Sequence, residues 1–277
     1  MTRPIAMFFA LLALVGCQTL DAENAAAQTI TRIVIAGDST AADYPPERIN
    51  QIGWGQALPY FLPNDVPVMN LAVNGRSTKS FIDEGKWVAL VEQVGTGDLV
   101  LISFGHNDSR DDAPERHAPA MGAYKNNLER FVADVRSAGA QAVVHSPAAR
   151  RLWEGPAMVE THGLYRLAAE QAAGESGAAF IDLSNLSLAY FEGIGREETK
   201  RDFVWLTRPH WKTGEMETLE DNTHFTFLGA CGVARLITIE LDGAGLVDAN
   251  PGLTMAAAEM AGRPKPVIDC ADALQRR

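Results

Sequence analysis

Residues 98–108, Asp-Leu-Val-Leu-Ile-Ser-Phe-Gly-His-Asn-Asp (DLVLISFGHND), decide how this chain folds. From Leu99 to Phe104 every residue but Ser103 is apolar. A short, continuous apolar run of this kind suits a strand buried on both faces, as in a parallel sheet covered by helices on each side. The run stops at Gly105 and is followed by His106, Asn107 and Asp108. In an open α/β sheet, ligands gather beyond the carboxyl ends of the strands. The polar trio can therefore belong to a metal site, supply a catalytic histidine, or simply form a turn.

Working outward, strand-like and helix-like segments alternate. Strands are expected at 30–37, 66–73, 99–105, 140–147 and 178–184. Helices are expected at 53–62 despite Pro59, at 80–94 with Ser80 as its N-cap, at 121–139 with Gly139 as its C-cap, at 163–177, and from Thr226 to about Leu241. Strands separated by helices imply right-handed β-α-β crossovers and a parallel sheet. No linker interrupts the alternation, so residues 30–277 read as a single domain with a C-terminal tail. The segment from Glu192 to Glu220 fits the alternation poorly. It is either a long loop beside the site or an irregular surface excursion.

The formal charge of −11 disfavours nucleic acid as a partner, because phosphate binding needs clustered Lys and Arg. At the start of the chain, Arg3 precedes an apolar run from Ile5 to Val15 that is too short to span a bilayer. Residues 1–16 read as a secretory signal. Leu14-Val15-Gly16-Cys17 resembles the bacterial lipobox, which implies lipidation of Cys17 and a membrane anchor. Residues 17–29 then form a tether. Gln18 after the cysteine resembles Gram-negative outer-membrane lipoproteins, so an exported protein of the cell envelope is expected. Cys231 and Cys270 remain as a disulfide pair or as two unlinked thiols.

The residues just past the strands carry the chemistry. They are Gly37-Asp38-Ser39-Thr40, Asn74-Gly75-Arg76-Ser77, Gly105-His106-Asn107-Asp108, and Asp221-Asn222-Thr223-His224 before the last helix. A serine hydroxyl becomes a useful nucleophile when an imidazole takes its proton. That imidazole needs a carboxylate on its other nitrogen, and Asp221 is one turn of chain from His224. A tetrahedral intermediate needs preorganised donors, which the Ser39 and Gly75 N–H groups and the Asn107 amide can supply. Singly, each of these motifs is an ordinary turn or cap; in order at successive strand ends they form the set that acyl transfer needs.

The four blocks GDST, NGRS, GHND and DNTHF resemble those of the SGNH hydrolases, also called GDSL esterases. GWG at 53–55, NGRSTKSFIDEGKW at 74–87, FGHND at 104–108 and DNTHFTFLGA at 221–230 are closest to the rhamnogalacturonan acetylesterase branch. The resemblance covers roughly residues 31–241. It implies a flavodoxin-like three-layer α/β/α sandwich with a five-stranded parallel sheet. It further implies Ser39 as nucleophile, His224 as general base, Asp221 as its partner, and Ser39, Gly75 and Asn107 as the oxyanion hole. No cofactor would be required. The expected substrate is an acetylated plant cell-wall polysaccharide, with rhamnogalacturonan first.

Arg76, Trp54, Arg208, His210 and Trp211 are candidate sugar contacts. Trp rings stack on pyranoses and Arg pairs with a uronate carboxylate. His106 reads as a residue shaping its turn, with Asp108 buttressing it, while His117, His145 and His162 read as structural. A metal site would need His106, Asp108 and His117 to converge, and no ligand spacing supports one. G-x-S-x-G, Walker and dinucleotide glycine patterns are absent. Two alternatives stand beside the acetylesterase. One is a lipid-directed esterase, thioesterase or lysophospholipase of the same superfamily, against which Thr40 replaces the leucine of GDSL. The other is a non-catalytic envelope lipoprotein that binds polysaccharide.

Overall fold

The stretch from Asp98 to Ser103 is the central strand of the sheet in the computed structural model, which describes residues 30–249 except Ile49 and Asn64. Five parallel strands form that sheet: β1 (Arg32–Gly37), β2 (Val68–Asn70), β3 (Asp98–Ser103), β4 (Gln141–His145) and, after a small hairpin of β5 (Trp153–Glu154) and β6 (Ala157–Met158), β7 (Ala179–Ile181). Their order is β2-β1-β3-β4-β7, the flavodoxin-like order expected from the sequence. Every residue of β3 is buried.

Alternate side chains explain the two apolar layers. Ile33, Ile35, Leu99, Leu101 and Val143 face one core together with Trp54, Phe191 and Val233. Val34, Ala36, Val100, Ile102 and Val144 face the other, against Phe81, Trp87, Phe131 and Ala169. The first layer is covered by α1 (Trp54–Ala57), α6 (Leu183–Ile194) and α7 (Phe227–Gly243). The second is covered by α2 (Thr78–Asp83), α3 (Lys86–Val91), α4 (Lys125–Ser137) and α5 (Leu164–Ser176).

Several expected elements are corrected. The helix expected at 80–94 is two helices, because Gly85 has a φ of 71° and breaks the ladder. Its N-cap is Ser77, not Ser80; the two serines form a reciprocal capping box. The helix at 53–62 shortens to one α-turn and a 3-10 turn that accommodates Pro59. The fifth strand ends at Ile181 because Asp182 caps α6, a helix the strand-helix alternation did not separate.

The Glu192–Glu220 segment is neither loop nor irregular excursion. Most of it is a two-stranded antiparallel hairpin, β8 (Phe203–Pro209) and β9 (Met216–Phe225). Its apolar burial is confined to the base, at Phe203, Val204 and Phe225, while much of the rest stands over the cleft or in solvent. Cys231 is buried in α7. Cys270, expected to pair with it or to stand as a second unlinked thiol, lies outside the described residues, as do the lipobox with Cys17, the tether and the C-terminal tail beyond Ala249.

Candidate active site

Gly37 ends β1, and the next residues turn sharply. Asp38 Oδ1 accepts the Thr40 N–H at 2.9 Å and the Thr40 hydroxyl at 2.8 Å, closing an Asx-type turn. Ala41 and Ala42 N–H groups both reach the Asp38 carbonyl. Ser39 sits at the apex. Two glycines hold α1 against this turn: a Cβ on Gly53 would stand 2.3 Å from Ala42 O, and one on Gly55 would stand 2.5 Å from Ala41 O. Close packing, not sugar contact, therefore accounts for the Gly-Trp-Gly motif. Trp54 is fully buried against His145 and is removed from the candidate sugar contacts.

The hairpin brings the imidazole. Phe203 pairs with Phe225 and Trp205 with Glu220, so four residues of β9 stand opposite one of β8. That bulge is Asp221–His224. Freed from the ladder, the segment turns Asp221 and His224 into the cleft, a recurrent use of bulges beside active sites. His224 Nε2 lies 2.9 Å from Ser39 Oγ, and Nδ1 lies 2.7 Å from Asp221 Oδ2. The Thr223 and His224 N–H groups donate to Asp221 Oδ1 at 2.7 and 2.9 Å.

Partial burial raises the Asp221 carboxyl, but the bond and charge of His224 and the two backbone donors outweigh it and hold the group below the usual carboxylate range. An ionised Asp221 assigns the proton of His224 to Nδ1 and turns the Nε2 lone pair to the serine. Arrangements of this kind can move the hydroxyl proton to the imidazole as the oxygen attacks an acyl carbon.

Donors converge from two other strand ends. Gly75 has a φ of 72°, in the left-handed region open to glycine, and lines the cleft with Ser39 and Asn107. Asn107 donates one amide hydrogen to Arg76 O at 3.0 Å, which joins the two turns. Among the described residues, neither the Ser39 nor the Gly75 N–H is committed to another acceptor. Tyr44 donates to Ser39 O at 2.8 Å; burial pushes its hydroxyl up, so it stays a neutral donor.

The cleft is open, about 420 Å³, and basic for so acidic a chain: Arg48, Arg110, Arg116 and Arg208 line it. Arg208 is buried and occupied structurally, bonded to Glu217, Arg48 O and Gln51 Oε1. His210 lines the cleft as expected. Trp211 is partly exposed, with Arg48 and Lys212 over its ring at 4.5 and 4.7 Å, so it holds cations where a pyranose face was expected. Arg76 bonds to Glu84 and to Asn74 O and is not part of the cleft lining. Arg48, Arg110 and Arg116 were missed because single arginines among acidic residues read as solvated surface; only the fold gathers them.

His106 does shape its turn, but Asp108 is not its support. His106 Nδ1 pairs with Asp38 Oδ2 at 3.2 Å, whereas Asp108 Oδ1 accepts the Thr78 N–H and hydroxyl. His117 Nδ1 contacts Asp108 O, and His162 Nε2 contacts Ala148 O, each a main-chain partner. Burial lowers both His145 and His162, keeping them neutral.

Residues 35–226 match the model of the GDSL-like lipase/acylhydrolase family. The chain belongs to that family. This acylhydrolase is 35% identical over 205 residues to a probable rhamnogalacturonan acetylesterase of Bacillus subtilis, YesY, covering 74% of this chain and 89% of that one. It is also 35% identical over 216 residues to the rhamnogalacturonan acetylesterase RhgT of the same organism, covering 78% and 91%. Among solved structures, YxiM of Bacillus subtilis superposes with a TM-score of 0.67 at 27% identity, over 79% of this acylhydrolase and 58% of that chain. An acetylxylan esterase of Geobacillus stearothermophilus shares the fold, with a TM-score of 0.53 at 15% identity over 78% and 95%. By family, this acylhydrolase is an esterase.

Proposed function

We propose that the protein is a carbohydrate acetylesterase that removes O-acetyl groups from a plant cell-wall polysaccharide, with rhamnogalacturonan the leading substrate. The observation that carries this reading is the continuous hydrogen-bonded line from Ser39 Oγ through His224 to Asp221. Ser39 Oγ attacks the acetyl carbonyl carbon and its proton passes to His224 Nε2. Asp221 stabilises the imidazolium and keeps the ring oriented. The Ser39 and Gly75 N–H groups and the second Asn107 amide hydrogen stabilise the oxyanion, each worth roughly 10²–10³ in kcat at such sites. Collapse of the intermediate breaks the C–O bond to the sugar, whose oxygen takes the proton from His224. Water then attacks the acetyl-Ser39 carbonyl by the same path and releases acetate.

Two features support an acidic polymer. The relatives above carry rhamnogalacturonan in their names. Of three cleft arginines, Arg110 and Arg116 pair with Asp112 and Glu115, and Arg48 offers the guanidinium that can bind a uronate carboxylate. Val204 and Leu219 are the aliphatic side chains of the lining, which gives little wall for a long acyl chain and disfavours the lipid-directed alternative. The lipobox supports export and a lipid anchor on Cys17, with the outer membrane as the site of action.

Acetate release from acetylated rhamnogalacturonan, xylan and mannan tests the substrate. The expected order places rhamnogalacturonan first, and a preference for mannan or for long-chain esters would overturn the proposal. Full acetate release by Ser39→Ala would overturn the mechanism.

A further inference from the structure

A second Asp–His pair lies buried behind the first. Asp38 directly precedes Ser39, and His106 directly precedes Asn107. Ser39 and Asn107 line the cleft, while the side chains before them are buried and meet, His106 Nδ1 to Asp38 Oδ2, at 3.2 Å. They tie the end of β1 to the end of β3, beyond the last ladder pair, Gly37 with Ser103. Both partners are tightly held. The other Asp38 oxygen is filled by Thr40, and the His106 carbonyl accepts Arg150 Nη2 and the Ser109 hydroxyl, each at 3.2 Å. The His106 ring also stands edge-on to His162, ring centroids 4.6 Å apart, and His162 is anchored on Ala148 O.

We propose that His106 is a positioning residue for the esterase reaction: through Asp38 it holds the turn that carries Ser39 in register with the turn that carries Asn107. This rests on the reading of Ser39 as nucleophile and Asn107 as oxyanion donor. The physical case has two parts. Constellations of this kind work only when held within about 0.5 Å, and the Asp38–His106 bond is the side-chain link between the two turns. A buried carboxylate one residue from the nucleophile would, if left unpaired, also oppose the negative charge growing on the acyl oxygen. His106 supplies the donor that satisfies it.

The test compares three variants on p-nitrophenyl acetate, with melting temperature and the rate of phosphonylation by a serine-reactive phosphonate measured beside kcat and KM. His106→Leu removes the donor and is expected to lower kcat about 100-fold, the scale of one lost oxyanion donor, with KM within about twofold. His106→Asn places an amide N–H near the Nδ1 position and is expected to recover most of the loss. His106→Gln reaches the Nε2 position instead and is expected to recover little. Phosphonylation should slow in the same order.

A folded His106→Leu enzyme with kcat within twofold of the parent overturns the proposal. So does a loss confined to KM, or equal activity in the Asn and Gln variants. Failure of all three to fold would assign His106 to stability alone and overturn it equally. Ser39→Ala, run in parallel, separates the layers: if it stays active the proposed mechanism fails, whereas if it is dead while His106→Leu is fully active only the positioning role fails.

Discussion

Trp205 Nε1 donates to Asn222 Oδ1 at 2.9 Å, and Asn222 stands inside the Asp221–His224 bulge. Arg151 grips the same residue twice, N–H to Asn222 O at 2.8 Å and Nη1 to Oδ1 at 3.3 Å, with its guanidinium 4.7 Å over the Trp205 ring. The bulge that presents the imidazole is thus fixed from behind by a hairpin tryptophan. Trp205→Phe keeps most of the packing and loses the bond. It is expected to lower kcat on p-nitrophenyl acetate about tenfold while costing about 1 kcal/mol, the usual worth of one hydrogen bond, in chemical denaturation.

Asp221→Asn removes the negative partner of His224 and allows the imidazole to adopt the wrong tautomer. Kinetics on the same ester should show kcat reduced about 10⁴-fold, as when the equivalent carboxylate of a serine protease is neutralised. The melting temperature should change little, because the Asn carbonyl can still accept the Thr223 and His224 N–H groups.

Asp108 gives stability a specific pH dependence. Burial pushes its carboxyl from 3.8 up to about 7, opposed by the Thr78 bonds and reinforced by the charge of Asp38. The folded value lies above the unfolded one, so between about pH 4 and pH 7 the native state holds the extra proton. The contribution of this group to stability is therefore greatest in acid and falls as pH rises through that window. Asp108→Asn keeps an acceptor for Thr78 and cannot ionise. Relative to the parent, it should gain stability between pH 4.5 and 7.5, on the order of 3 kcal/mol across that interval in urea titrations.

Gly53→Ala drives a methyl group into the main chain of Ala41 and Ala42, the turn that follows Ser39. A cost of about 1–3 kcal/mol is expected from overpacking, and the displaced turn should lower kcat with it. Urea titration and ester kinetics on the same preparation check both effects together.

Arg48 stands over Trp211 at the cleft wall and forms no ion pair among the described residues. If uronates occupy that wall, Arg48→Ala should raise KM for acetylated rhamnogalacturonan about tenfold, and that penalty should shrink as salt is added. An unchanged KM in low salt would contradict an acidic substrate at this wall.

The parallel sheet was legible in the chain, and so were the residues that meet in the cleft, Ser39, Gly75, Asn107, Asp221 and His224. The apolar run 99–104, broken only by Ser103, suits burial on both faces, and Ser39, Gly75 and Asn107 follow the apolar runs read as strands at 30–37, 66–73 and 99–105. Trp54 is a candidate in the sequence because Trp rings stack on pyranoses, but it is fully buried against His145, and a Cβ on the preceding Gly53 would stand 2.3 Å from Ala42 O. Trp211 is exposed, but cations cover its ring.

The sequence by itself determined which groups exist and at which strand ends they fall, because hydrophobic period and turn chemistry are local properties. Tertiary structure alone decided which groups meet. Ser39 and His224 are 185 residues apart and Asp38 and His106 are 68 apart, distances over which no local rule operates. The hairpin bulge closes the first pair and the β1–β3 register closes the second. The arginine-lined cleft arises in the same way, from residues whose neighbours in sequence say nothing of their neighbours in space.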